Sequence, residues 1–182
     1  METLDIDWIA LSLAEADVEA SISLGAHLVS ERDGYWHHGI YAGNGQVIHY
    51  GGFHHAAGRR PVEAISLRSF AAGRPMGVRG EPAAVYLGSD AVARARSRLG
   101  EDKYRLLTNN CEHFCTWCVC GVARSEQVHR CVANPWAGIK TLRALLRSDH
   151  TLHHWAVRAV RCVRHLRCTI AALGCGAQLS RI

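Results

Sequence analysis

The stretch His37-His38-Gly39-Ile40-Tyr41-Ala42-Gly43-Asn44-Gly45-Gln46-Val47-Ile48-His49 decides how the chain is read. Two β-type runs, Tyr35 to Ala42 and Gln46 to Tyr50, flank Gly43-Asn44-Gly45, whose residues tolerate positive φ and so mark a hairpin turn. A three-residue loop sets Gly39 opposite His49. His37 is then diagonal to His49 on one face of the hairpin, and His38 points to the other face. A two-residue loop reverses the choice and pairs His38 with His49. The register therefore decides which imidazole stands beside His49.

Working outward, His27 to Val29 reads as a strand before the hairpin, and residues 51–61, rich in Gly and closed by Pro61, read as a mobile loop. Further short strands are expected at Val62 to Leu67 and Val85 to Tyr86. A helix capped by Ser89 or Asp90 should run from Ala91 to Leu99 and end at Gly100. A second should open at Asn109-Asn110 and stop at Gly121. Residues 1–24 form an acidic, weakly amphipathic stretch that reads as a helix. Together these elements predict an α+β fold, a small antiparallel sheet packed on helices.

The second helix carries the chemistry. Cys111 falls in its first turn, where the helix dipole and unpaired backbone N–H groups favour a thiolate. A cysteine nucleophile needs a base, usually histidine, and a third group that orients the base, and the hairpin supplies candidates for both. Cys115 and Cys118 lie at helical steps from Cys111 and read as small buried groups, while His113 faces elsewhere. A single helix cannot aim Cys111, Cys115, Cys118 and Cys120 at one tetrahedral ion, and Cys131 with His54-His55 lacks zinc-type spacing. No metal or cofactor is expected.

The hairpin motif and Asn110-Cys111-Glu112-His113-Phe114 resemble the histidine and nucleophile motifs of the lecithin retinol acyltransferase-like (LRAT, or NC-domain) family, over roughly residues 25–130. That family resembles a circular permutation of NlpC-type papain-like cysteine hydrolases, with the histidine strand before the cysteine helix. The resemblance implies an acyltransferase or lipid hydrolase that attacks a phospholipid or similar acyl donor through an acyl-cysteine thioester. Carried over by position, it places the nucleophile on Cys111, the base on His37 and the orienting residue on His49. The family usually has an aromatic residue where this chain has His38, which leaves His37 against His38 open. Two other readings stand beside it. One is a papain-like amidase or peptidase, because the same pair opens amides. The other is a catalytically silent module that binds membranes or a partner.

Composition agrees with a folded domain. The chain has 182 residues, 48% hydrophobic and 20% charged, which excludes disorder and repeat architectures. The net charge of +5 is unevenly spread: from Val122 onward there are ten basic residues against Glu126 and Asp149, and the first 121 residues carry 11 basic and 14 acidic. The acidic start lacks the positive n-region of a secretory signal, so a cytoplasmic protein with reduced thiols is expected. The longest uncharged stretch near the end, Cys168 to Ser180, is 13 residues against the ~20 a membrane span needs. Residues 131–182 read as a basic helical tail. Within it, 151–173 form an amphipathic helix with Arg158, Arg161, Arg164 and Arg167 opposite Trp155, Val163, Leu166 and Ile170. That pattern fits peripheral contact with an anionic membrane surface. Nucleic acid is not expected as a partner, since stacking aromatics are missing.

Overall fold

A computed structural model describes residues 5–9, 20–53, 59–134, 136 and 139. Its centre is a six-stranded antiparallel sheet. The strands are β1 (Ile6–Ile9), β2 (His27–Arg32), β3 (Tyr35–Gly43), β4 (Gln46–Phe53), β5 (Arg59–Ser66) and β6 (Met76–Arg79), in the order β1-β6-β2-β3-β4-β5. Among the described residues four helices have both ends defined: α1 (Leu67–Ala71), α2 (Gly88–Arg96), α3 (Cys111–Cys120) and α4 (Glu126–Ala133). The α+β class is therefore as the sequence predicts.

The hairpin has the expected register. Gly39 pairs with His49 and Ile40 with Ile48, and the register shifts between Tyr41 and Gly43 before Gly43 meets Gln46. The turn proper is two residues long, but that bulge adds one residue and preserves the odd parity. Gly43, Asn44 and Gly45 all have positive φ, as the turn chemistry requires.

This register divides the core in two. On one face Ile40, Ile48, Tyr50 and Val62 pack against α2 and α3 through Ala91, Ala95, Phe114, Cys115 and Cys118. On the other, Leu28, Tyr41 and Val47 pack against Leu67, Phe70 and Met76. Cys115 and Cys118 are buried free thiols, which is the packing role expected of them.

Several sequence expectations are corrected. The 51–61 loop is shorter than predicted, because β4 continues to Phe53 and β5 begins at Arg59, with Gly52 pairing Arg60; residues 54–58, including His54 and His55, lie outside the described residues. Backbone pairing along β5 overrides the turn propensity of the two glycines. Within the acidic 1–24 segment, Ile6–Ile9 is a strand, because the free edge of β6 offers it a ladder. β6 itself was not predicted. Val85 and Tyr86 form no strand; both of their N–H groups bond to the Val119 carbonyl instead. Helix α2 starts at Gly88 without a side-chain cap and gives way to a turn after Arg96. Gly100 ends that turn, donating its N–H to Val62 O at 2.8 Å. The tail helix of 151–173 lies outside the described residues. Among the described residues no helix is long and apolar enough to cross a membrane.

Gly39 is the tightest position in the hairpin: a Cβ there would sit 2.5 Å from Val47 Cγ1 and 2.8 Å from Phe70 Cε2. Gly39→Ala should lower stability by about 2 kcal/mol through overpacking, measured as a shift of the urea midpoint at unchanged slope.

Candidate active site

The site is built where β3 and β4 part. Their ladder ends at Gly39 and His49, while β4 continues along β5 to Phe53. Gly52, at φ +67, turns β4 there, and a Cβ on it would strike the Tyr104 ring at 2.9 Å. The Tyr41 N–H points to β2, bonding Ala26 O, so by alternation the N–H groups of His38 and Trp36 point to the vacated β4 side. Each finds a substitute partner. Trp36 N–H donates to Gln127 Oε1 at 2.7 Å, and Trp36 O accepts from Gln127 Nε2 at 3.1 Å, so the carboxamide stands in for a strand. The His38 N–H is directed at the Cys111 sulfur. The nucleophile candidate thus lies against β3 one peptide bond from His37.

Cys111 arrives there because α3 begins where the sequence said it should. Asn110 is the N-cap, its Oδ1 accepting from His113 N at 3.0 Å, and His113 completes a capping box; Gly121 closes the helix at φ +78. The expected low thiol pKa does not follow. Burial pushes Cys111 up to about 12, outweighing the N–H groups of His38, Glu112 and Cys111 itself. A thiol held so high stays protonated near neutral pH unless a base takes its proton. The Tyr104 hydroxyl reaches the Cys111 backbone N–H, and burial holds that phenol well above its usual range and so neutral.

His37 and His49 are brought together, with His37 Nε2 2.7 Å from His49 Nδ1 and both rings against Phe70. Directly across the β4–β5 ladder from His49 stands Glu63. Its Oε1 lies 3.3 Å from His49 Nε2, and its Oε2 accepts from Arg60 Nη2 at 2.8 Å. The contact with His49 is an ion-pair approach rather than a fully aligned hydrogen bond, and both atoms are sealed from solvent. The sequence reading missed Glu63. His49 and Glu63 both lie in runs that the sequence marks as strands, but a loop over 51–61 leaves the register of the two runs open, and only the β4–β5 ladder sets them opposite each other.

His38 belongs to a different system. Gln127 Nε2 meets its Nε2 at 2.9 Å, its Nδ1 meets His27 Nε2 at 2.8 Å, and His27 Nδ1 meets Glu81 Oε1 at 2.8 Å. Arg79 links Glu81 at 3.1 Å to Glu112 at 2.6 Å, and Glu112 Oε2 accepts from Gln127 N at 3.0 Å, closing a buried ring. Since the Trp36 backbone fixes the Gln127 amide, each proton in this chain has one place: Gln127 donates to His38, His38 to His27, and His27 to Glu81. Desolvation holds His38 well below its usual pKa, so it stays neutral. Burial alone would raise the Glu112 carboxyl, but His38, Ser125 and Arg79 together outweigh it and hold Glu112 far below the carboxylate range. Among the described residues no group of three or more His, Cys, Asp or Glu is arranged to hold a metal ion.

A family model of lecithin retinol acyltransferase matches residues 20–124, more than half of the chain. The chain belongs to that family. No curated protein matches it. The matched span contains the hairpin, Glu63 and the whole of α3, so every residue of the site except Ser125 and Gln127 lies within it.

The depressed Glu112 pKa has a signed consequence. Its contribution to stability is full above the ordinary value of 4.5 and is lost as the pH falls towards the lower folded value. Glu112→Gln should therefore cost about 3 kcal/mol at neutral pH, by leaving Arg79 short of a buried partner, and should flatten the decline of stability below pH 4.5, read from urea melts across pH.

Proposed function

We propose that the protein is a cysteine acyltransferase or lipid hydrolase in which Cys111 is the nucleophile, His37 the general base and acid, and His49 the residue that orients His37. The observation that supports it most is the convergence at one strand opening of a helix-terminal thiol and a hydrogen-bonded histidine pair: Cys111 lies at the His38 amide, and the adjacent His37 is joined to His49 at 2.7 Å. Family membership supports the reaction class.

In this reading His37 takes the Cys111 proton as the sulfur attacks the ester carbonyl carbon of a phospholipid or similar donor. The carbonyl oxygen becomes an oxyanion at the start of α3, where the Cys111 N–H and the Tyr104 hydroxyl converge. When the oxyanion collapses, the C–O bond to the leaving alcohol breaks, and the alcohol leaves with the proton that His37 held. The products are an acyl thioester on Cys111 and neutral His37. An incoming alcohol, amine or water then gives its proton to His37, attacks the thioester and regenerates the thiol. With the thiol pKa raised to about 12, this is base-assisted attack rather than a preformed thiolate pair. The same steps open an amide, and the donor decides between the two readings.

His37→Ala and Cys111→Ala should each abolish turnover, and Cys111→Ala should also cost about 1–3 kcal/mol of stability, because it leaves the His38 N–H without the sulfur. His38→Ala should instead unfold the protein more readily, by about 2 kcal/mol or more, since it removes the partner of His27 Nε2 and breaks the ring at Gln127. Intact mass after incubation with mixed phospholipid vesicles should show an acyl adduct on Cys111 that is absent in Cys111→Ala. Turnover retained by Cys111→Ala would rule the assignment out. An adduct formed from a peptide amide donor but not from lipid would favour the amidase.

A further inference from the structure

We propose that Glu63 is a positioning residue that sets the proton arrangement of the histidine pair, and so decides that Nδ1 of His37 is the basic nitrogen; this rests on the reading of Cys111 and His37 above. Glu63 Oε2 is held by Arg60 at 2.8 Å, and a carboxylate so paired accepts hydrogen bonds and donates none. Its Oε1 stands 3.3 Å from His49 Nε2, with both atoms sealed from solvent. A lone pair on Nε2 would face a carboxylate lone pair in a buried place, a repulsive arrangement that bulk solvent does not screen. The His49 proton is therefore on Nε2. Nδ1 of His49 is then the acceptor, and across the 2.7 Å contact it can only receive the Nε2 proton of His37. His37, protonated on Nε2, carries its lone pair on Nδ1.

The surrounding backbone is arranged to permit this. Glu63 is the direct cross-strand partner of His49. At Gly51, two residues on along the same face, a Cβ would sit 2.8 Å from Glu63 Oε1 and 2.5 Å from Arg60 Cβ. A bare glycine at that place leaves the carboxylate room to lean towards the imidazole. The contrast with His38 is instructive: its protons are fixed by Gln127 and Glu81, through a ring that shares no residue with the Glu63 chain. Each histidine of the hairpin strand thus has its own carboxylate to settle its tautomer, on opposite faces of the sheet.

The test is a long-range proton–nitrogen spectrum of the full chain labelled with [15N]histidine near neutral pH, with His37→Gln and His49→Gln used for assignment. Wild type should show Nε2 protonated and Nδ1 unprotonated in both rings. Glu63→Ala should lose the single pattern at His49 and slow iodoacetamide alkylation of Cys111 by at least about tenfold. Glu63→Gln retains an accepting oxygen, so it should restore the pattern and most of the alkylation rate, a rescue that lost packing alone does not predict. His49 protonated on Nδ1 in wild type would overturn the proposal even if Glu63→Ala failed to fold. So would a Glu63→Ala protein with wild-type tautomers and an alkylation rate within about twofold of wild type. A Cys111 that is inert in wild type would instead sink the nucleophile assignment, while the spectrum would still decide where the protons lie.

Discussion

The constraint on which the rest depends is the parting of β3 from β4 after Gly39 and His49. Backbone N–H groups directed into that opening cannot be left unbonded at a buried site, where each orphan costs about 1–3 kcal/mol. Two of them recruit partners from elsewhere in the chain: Trp36 takes the Gln127 carboxamide and His38 takes the Cys111 sulfur. Satisfying the edge of a sheet therefore brings α3 and the segment after it to the hairpin. The candidate nucleophile sits in a place the backbone would otherwise have filled with a strand.

Alternation along β3 then separates two polar systems. His38 faces the helices and is built into the ring of Gln127, His27, Glu81, Arg79 and Glu112, which ties β2, β3, β6, α3 and the start of α4 together. Such a ring is stabilising only when complete, because removing one member leaves buried groups unpaired. His37 faces the other way, against Phe70 and His49, and His49 in turn meets the Glu63 carboxylate. Adjacent residues of one type thus serve different ends. One belongs to the buried framework, and the other pairs with His49.

Much of this was legible in the sequence. The turn residues Gly43-Asn44-Gly45 gave the parity of the hairpin, and parity alone separated His37 from His38. Asn110 and Gly121 bounded α3 correctly because capping is a local interaction. What was not legible was non-local. The N-terminal strand forms because β6 has an open edge, and β4 runs on to Phe53 because β5 pairs with it, against the propensity of Gly51 and Gly52. The register of that pairing, which sets Glu63 opposite His49, is likewise non-local. The thiol pKa is non-local in the same way: helix position argues for a lowered value, but burial is a tertiary property and it wins, pushing Cys111 up to about 12. Gln127 and Arg79 gave no local signal of their places in the site.

The central claim is that the Cys111 sulfur occupies the strand opening and is the partner of the His38 amide. Backbone hydrogen exchange followed by NMR reads this contact residue by residue. In wild type the His38 amide should be protected although β4 no longer pairs with β3 beside it, and Cys111→Ala should lower that protection selectively, with Ile40, which pairs with Ile48, unchanged. A His38 amide that exchanges identically in wild type and Cys111→Ala would contradict the account, because the thiol would then not be what fills the gap.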